Sequence, residues 1–269
     1  MVFVGYAGQF GWRFGIASTW VGLGNAFIGS LLPWAILGRR TRVMTQHLNS
    51  RTMPDFFGLR FLSPAMKTAA ALIVFVFLIP YTASLFNGLS RLFTMAFPQI
   101  DYAWCVIVMA ALTGIYVIIG GYMATAINDF IQGIIMIVGI VAVIAAVLNG
   151  QGGLTEAIAR LSQVSAESGS GTQQLGVFTS FFGADPLFLL FVVILTSLGT
   201  WGLPQMVGKF YAIKNEDSIK KGTVISTVFA ILVAGGCYFL GGFGRLFSDS
   251  VSYQADGVTP IFDSIIPAM

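Results

Sequence analysis

The sequence predicts an all-α, polytopic membrane protein, and three observations lead to that fold class. Of the 269 residues, 56% are hydrophobic and only 9% are charged, whereas soluble domains carry roughly 25% charged residues. Apolar runs of about 18 residues or more recur along the chain, and this is the length that a helix needs to cross a bilayer. Glycine occurs 32 times, as expected where membrane helices approach closely. The composition excludes a soluble domain, and no basic stripe suggests a nucleic-acid partner.

Six full membrane spans and one shorter apolar stretch are predicted from these runs. Residues 2–8 cover half a crossing, so we expect the chain to begin within a helix and a polar-aromatic turn to follow at 9–13. The full spans are predicted at 15–37, 68–90, 102–119, 127–148, 187–209 and 223–244. Tight connections are expected at 98–101, which begins with proline, and at the glycine pair 120–121.

The predicted organisation is a single transmembrane domain over residues 1–269. Its parts are a basic loop at 38–67, a loop at 149–185, an interrupted helix at 186–208 and a tail at 245–269. The second loop contains SAESGSGTQQ, a composition typical of a flexible connection rather than of a folded domain.

Lys and Arg are divided unequally between the two sides that alternating crossings define. One side holds ten of the fourteen: Arg39, Arg40, Arg42, Arg51, Arg60, Lys67, Lys209, Lys214, Lys220 and Lys221. The other side holds Arg13, Arg91, Arg160 and Arg245. Because cytoplasmic loops carry the excess of Lys and Arg, the 38–67 loop is predicted to be cytoplasmic, and the 149–185 loop and the tail external.

The span between residues 186 and 208 begins as the apolar run LFLLFVVIL and continues as TSLGTWGLP, ending at Pro204. Gly and Pro loosen or remove intrahelical hydrogen bonds, and a freed backbone group in hydrocarbon is costly unless protein, water or a ligand satisfies it. Two interpretations stay open. The break marks a ligand site near the bilayer midplane, as in transporters, or the helix is only kinked and packs through its small residues.

Asp129 is an acid at the cytoplasmic start of a predicted span, and an ionisable group in a membrane segment suggests a function. Its carboxylate, beside Asn128 and Thr125, could attract a monovalent cation. The alternative is a helix N-terminal cap, in which the side chain binds free backbone N–H groups.

Two aromatic residues have similar alternatives. Tyr81 follows Pro80 in a span that also carries Thr82, Ser84 and Asn87, so this helix presents a partly polar face to the bundle or simply forms interhelical hydrogen bonds. Trp201 either walls a solute cavity or packs among apolar neighbours.

The residues give little support to an enzyme. Cys105, Cys237 and His47 are isolated from one another in the sequence, which argues against a disulfide, a zinc site or a catalytic triad. An intramembrane enzyme needs paired acids or a nucleophile with its base, and only one such acid is found. No cofactor is expected.

Four motifs resemble those of the sodium:solute symporter family, and within it they are most similar to the sodium/proline branch. They are RTRVMTQHLNSRTMPDFFGLRF at 40–61, YTASLFNGLSRLF at 81–93, IIGGYMATAINDFIQ at 118–132 and GTWGLPQMVGKFYAIK at 199–214. The resemblance covers nearly all of the chain, in the family's order and with similar spacing.

The resemblance implies a LeuT-like fold, an inverted repeat of five plus five core helices, of which this chain would hold part. The substrate-binding residues that it implies are Tyr81, Ser197, Thr200, Trp201 and Pro204. Thr200 and Trp201 fall on an aromatic pair that gates or stacks on substrate, and Asp129 falls on an aspartate of the sodium pathway.

Two departures from the family pattern affect these expectations. Thr200 stands where tyrosine is common and Thr196 where proline symporters usually have tryptophan, which weakens proline as the expected substrate. The family's central sodium ligands would lie on core helix one, before this chain begins, and on core helix eight, after it ends. We therefore expect the 269 residues alone not to transport.

The function implied is sodium-coupled symport of a small organic solute across the plasma membrane by alternating access, with an amino acid such as proline expected first. The expected partners are the sodium ion, the solute and the lipid bilayer. The alternatives are a sodium-coupled carrier for a sugar, carboxylate or vitamin, and a non-transporting sensor or channel of the same ancestry.

Overall fold

The structure is a computed structural model that describes residues 5–167, 173–213, 217–254 and 259–269. Residues 2–4 of the predicted half-span, 168–172 of the predicted flexible loop, and Lys214 lie outside the described residues. The α-helices are α1 Ala7–Phe14, α2 Thr19–Ala26, α3 Arg39–His47, α4 Met53–Arg60, α5 Pro64–Ala96, α6 Tyr102–Gly150, α7 Leu154–Ser162, α8 Pro186–Gly199, α9 Pro204–Ala212, α10 Asp217–Ala230 and α11 Gly236–Gly241. Two-residue strands, β1 Ala166–Glu167 and β2 Gln173–Gln174, pair antiparallel.

Five described helical segments are long and apolar enough to cross a membrane, and the bent pair α8 and α9 makes a sixth if it is counted as one span. The five are Ala7–His47, Pro64–Thr94, Tyr102–Gly121, Met123–Gly150 and Ser218–Gly241. This agrees with a polytopic, nearly all-helical membrane protein.

The predicted turn at 9–13 is wrong, because α1 runs through it as a helix. The break lies instead at Gly15, whose φ of 63° is in the left-handed region that favours glycine. The residues at 9–13 make packing contacts instead of forming a turn. Arg13, for example, lies 4.0 Å from the centre of the Phe188 ring. Helix α1 and the first predicted full span therefore belong to one helical segment.

Helix α6 is interrupted where the glycine pair predicted a connection. Gly121 has φ 58° and ψ −158°, and the span resumes at Met123. The predicted start at residue 127 is therefore too late.

The segment 38–67 contains α3 and α4. Thr52 caps α4: its hydroxyl oxygen accepts a hydrogen bond from the Asp55 backbone N–H at 3.3 Å. Lys67, in the first turn of α5, lies 2.7 Å from the Asp55 carboxylate, and this contact, with a hydrogen bond from Thr52, holds the pKa of Asp55 below its usual value. The ion pair joins α4 to α5.

One compact unit comprises Met1–Gly22, Ser84–Leu189 and Leu232–Met269. Helix α1 lies so close to α11 that a side chain at Gly11 would collide with the backbone of Gly241. Arg245 donates from Nε to the carbonyl oxygen of Trp12 at 2.6 Å and lies 4.0 Å from the centre of the Phe178 ring. Burial lowers the pKa of this arginine to about 10, so it stays charged at neutral pH.

The other compact unit comprises Leu23–Ala83 and Leu190–Ile231. Its buried core contains Trp34, Phe210 and Ile219, with the Trp34 and Phe210 rings edge to face at 5.0 Å. Helix α2 continues here through two wide π turns, Phe27–Leu31 and Trp34–Gly38. This unit holds all the predicted substrate-binding residues.

Candidate functional site

The candidate site is built around the break between α8 and α9, which are bent by 43° at residues 200–203. Pro204 is the first residue of α9, a position where its missing N–H costs little. Leu203 is extended, with φ −66° and ψ 131°, as steric clash with a following proline favours. The break is shorter than the predicted stretch from 196 to 204, because Thr196 and Ser197 are still helical.

Side chains of the break contact carbonyl oxygens of the first π turn. The indole Nε1 of Trp201 donates to the carbonyl oxygen of Ile28 at 2.8 Å. The hydroxyl of Thr200 donates at 2.8 Å to the Ser197 carbonyl oxygen in its own helix and also lies 3.3 Å from the carbonyl oxygen of Gly29. Backbone hydrogen bonding is rearranged in a π turn, and such turns are frequent at functional sites. Trp201 is thus more than a packed aromatic, because its ring orientation is fixed by a polar contact.

Oxygen atoms surround Gly29 in the same region. A Cβ atom at Gly29 would lie 3.1 Å from Thr200 Oγ1, 3.3 Å from the Ser197 carbonyl oxygen and 3.4 Å from Asn25 Oδ1. Such a set of hydroxyl, carbonyl and amide oxygens suits a hard monovalent cation or the polar groups of a small solute.

Ser197 is fully buried, and its hydroxyl has no hydrogen-bond partner among the described residues. It faces Gly24, where a Cβ would lie 3.0 Å from the hydroxyl oxygen. A buried hydroxyl without a partner is costly, so this position is favourable for a ligand or water that accepts its proton.

Tyr81 also reaches the broken helix. The side-chain amide nitrogen of Gln205 donates to the Tyr81 hydroxyl at 2.8 Å. The structure therefore brings all five predicted substrate-binding residues to one helix break or its immediate contacts. Their binding role stays a prediction.

Sequence reasoning missed Asn25 and Gln205. Asn25 could have been found as a polar residue inside the apolar run 15–37. Gln205 gave no comparable signal. It lies beside a proline at the end of a span, and nothing in the sequence shows that it contacts Tyr81.

Asp129 lies in the other compact unit, exposed on α6. The capping interpretation is wrong, because the helix already runs from Met123 and Asp129 is well inside it. The sodium-pathway interpretation stays a prediction. Among the described residues, no group of three or more His, Cys, Asp or Glu side chains could hold a metal ion.

Comparison with known proteins identifies the class. The sequence profile of the sodium:solute symporter family matches residues 1–254. The chain belongs to the sodium:solute symporter family. This confirms the resemblance seen in the four motifs and the prediction of a transporter class rather than an enzyme.

Relatives of this family member are named as proline carriers. The chain is 30% identical over 238 residues to the sodium/proline symporter of Salmonella typhimurium, and this alignment covers 86% of the chain and 44% of the relative. It is 28% identical to the osmoregulated proline transporter OpuE of Bacillus subtilis, with 84% and 44% covered. It is 29% identical to the Escherichia coli sodium/proline symporter, with 86% and 44% covered.

The chain spans less than half the length of these relatives. No solved structure matches it. Family membership and the membrane-length helices together make it a multi-pass membrane protein.

Proposed function

We propose that the protein carrying this chain is a sodium-coupled symporter of a small organic solute in the plasma membrane, with proline as the first candidate. It works by alternating access on an inverted-repeat, LeuT-like fold of five plus five core helices. Sodium is the coupling ion, and no cofactor takes part.

The observation that carries this proposal is the break at 200–203 with its directed contacts. A helix that only spanned the bilayer would not place a tryptophan N–H on a carbonyl oxygen of a π turn, with a threonine hydroxyl 3.3 Å from the next carbonyl oxygen. In transporters, broken helices provide backbone and side-chain groups for a solute near the bilayer midplane. We assign the solute to this region, with the Trp201 ring as a wall and the buried Ser197 hydroxyl as a donor.

The relatives' names support proline as the first candidate, since all three are proline carriers. Thr196 and Thr200 are smaller than the tryptophan and tyrosine that the family pattern has at these positions, which argues for a solute of different size. We therefore include larger solutes in the test.

Sodium supplies the driving force in this proposal. Inward movement of one positive charge releases about 2.3 kcal/mol per 100 mV, in addition to the concentration term. Asp129 acts on the sodium pathway as a carboxylate that attracts the ion.

The test uses the full-length protein in vesicles with an imposed inward sodium gradient. Labelled proline uptake should require sodium outside and should fall when choline replaces it, while a sugar, a carboxylate and a vitamin are offered as competitors. Uptake that depends on neither sodium nor protons would refute coupling. A competitor that displaces proline and is itself taken up would change the substrate and leave the coupling intact.

Asp129→Asn should raise the sodium concentration required for half-maximal uptake by several-fold. Asp101→Asn is the matched control, because it makes the same change in the preceding span, whose N-terminus Asp101 caps by accepting from the Ala103 backbone N–H at 2.7 Å. If both variants only lower protein yield and leave the sodium requirement unchanged, Asp129 has no part in the sodium pathway.

A further inference from the structure

A cavity in the unit Leu23–Ala83 and Leu190–Ile231 is lined by none of the residues of the helix break and has no place in the proposed transport cycle. It has a volume of about 550 Å³ and lies between the second π turn with the start of α3 and the first turns of α10. Two basic side chains, Arg39 and Lys220, line it together with apolar residues. We call it the basic cavity.

The charges at the basic cavity favour an anion. The two described sequences that lead to it, RRTR at 39–42 and DSIKK at 217–221, contain five basic residues and one acidic one. Both sequences belong to the side that the distribution of Lys and Arg predicts to be cytoplasmic. An anionic headgroup on that leaflet would find a net positive surface there.

The apolar part of the cavity indicates what kind of anion fits. Ala35 lies four residues before Arg39, and Val224 lies four residues after Lys220, so each helix carries an apolar residue one turn from its cation. Val224 is 63% exposed, and Val228, one further turn along α10, is 50% exposed. On each of the two membrane-length helices, a basic residue is thus followed by apolar residues toward the membrane. This order matches a phospholipid, in which the phosphate is followed by acyl chains.

The floor of the cavity is firmly packed. The Trp34 ring lines it, is held edge to face by Phe210, and lies so close to Gly222 that a Cβ there would be 2.7 Å from a ring carbon. The Trp34 indole N–H is buried and has no hydrogen-bond partner among the described residues.

We propose that the basic cavity binds one anionic phospholipid. Its phosphate lies between Arg39 and Lys220, and an acyl chain follows Ala35 and Val224 toward the bilayer interior. The proposal does not depend on the transport function, because its test measures binding and not uptake.

The experiment titrates lipids into the delipidated full-length protein in non-ionic micelles and follows the unfolding temperature. Phosphatidylglycerol should stabilise the protein at lower concentration than phosphatidylcholine. Arg39→Gln combined with Lys220→Gln should raise the phosphatidylglycerol concentration required by roughly twenty-fold, since a basic residue near an anionic lipid contributes a few-fold each. Inorganic phosphate, the soluble source of the same chemistry, should neither stabilise the protein nor displace the lipid.

The matched control is Arg40→Gln combined with Lys221→Gln, which removes the same charge from neighbouring residues that do not line the cavity. It should keep phosphatidylglycerol binding within about threefold of wild type, because only screened, distant charge is lost. If the first double variant does not fold, Val224→Trp tests the site without a change in charge, since the larger side chain fills the cavity.

Four results would each overturn the proposal. They are equal weakening by the two double variants, wild-type binding by Val224→Trp, equal stabilisation by phosphatidylcholine, and displacement of the lipid by inorganic phosphate.

Discussion

Two of the breaks in the described membrane-length helices, at Gly121 and at 200–203, are made in different ways. At Gly121 the break is a matter of backbone conformation: φ 58° and ψ −158° lie in a region that is almost restricted to glycine, and a Cβ there would meet nothing within 4 Å. At 200–203 no residue has a positive φ; Pro204 begins the next helix, and Trp201 donates to the carbonyl oxygen of Ile28 in another helix.

The difference shows which break is suited to bind a solute. The Gly121 break is local, so it persists regardless of what surrounds it. The 200–203 break combines the local effect of Pro204 with a side-chain contact to another helix, and a contact of this kind can be exchanged for one with a ligand. A helix break that is stabilised by tertiary hydrogen bonds can therefore respond to binding.

The largest effect is expected from Trp201. Trp201→Ala removes both the ring and the donor to Ile28, and it should reduce sodium-driven uptake by the full-length protein more than tenfold. Trp201→Phe keeps a ring but leaves the carbonyl oxygen without this donor, and a loss of about tenfold is expected. Initial uptake rates at several solute concentrations measure both.

Trp20 provides the control for Trp201. Its indole Nε1 also donates to a backbone carbonyl oxygen, that of Phe181 at 3.0 Å, in the other compact unit. Trp20→Phe should leave uptake per folded molecule near wild type. If it reduces uptake as much as Trp201→Phe does, indole hydrogen bonds matter only for folding, and the distinction between the two breaks is lost.

Gly121 tests the local break. Gly121→Ala forces a side chain into a conformation that costs about 1–3 kcal/mol, so the free energy of unfolding in a denaturant titration should fall by that amount. Gly114→Ala is the matched change, because Gly114 is helical and also has nothing within 4 Å of its Cβ position. It should be neutral or slightly stabilising. Equal destabilisation by both substitutions would contradict a conformational origin of this break.

Thr200 tests the second contact of the tertiary break. Thr200→Val removes the hydroxyl that lies near the Gly29 carbonyl oxygen, and a three- to fivefold loss of uptake is expected, in line with one neutral hydrogen bond of about 1 kcal/mol. Thr196→Val is the control. Both hydroxyls donate within their own helix at 2.8 Å, Thr196 to the Val192 carbonyl oxygen and Thr200 to that of Ser197, so the two changes differ by the contact with Gly29. Equal losses of uptake in the two variants would show that the contact between Thr200 and Gly29 does not contribute to uptake.

The smallest effect is expected at the ion pair of Asp55 and Lys67, which lies at neither break. The pKa of Asp55 is lowered in the folded state, so the pair stabilises the protein above the usual aspartate pKa. This contribution is lost as the pH falls through the lowered value. Because both side chains are partly exposed, Asp55→Asn should cost less than about 1 kcal/mol at neutral pH.

The contribution of the ion pair is checked by unfolding temperatures between pH 3 and 7. They are measured for Asp55→Asn, Lys67→Met and the double variant. The two single variants should lose similar amounts, and the double variant should lose no more than either. Fully additive losses would show that the two residues act separately.

Much of the helical architecture could be predicted, and the errors have physical reasons. The apolar runs located the membrane-length helices because span length is set by bilayer thickness. The turn expected at 9–13 failed because polar aromatic residues are as compatible with a packed helix as with a turn. The late start predicted after Gly121 came from counting apolar residues only, although the helix itself includes the polar residues up to Asp129.

The site was predicted in part. Trp201, Thr200, Ser197 and Pro204 are neighbours in the sequence, and glycine and proline around them indicated a break. Asn25 and Gln205 were missed because their relevance depends on which helix packs beside them. The hydrogen bond from Gln205 to Tyr81 joins residues 124 positions apart.

By itself, the sequence determined that this protein is helical, spans a membrane several times, and interrupts one helix near Pro204, because hydrophobic length and the chemistry of glycine and proline act locally. Only the tertiary structure decided that Trp201 at the interruption donates to a carbonyl oxygen of a π turn, and that Arg39 and Lys220 line one cavity. Contacts between distant residues depend on how helices pack, and the spacing of residues along the chain does not contain that information.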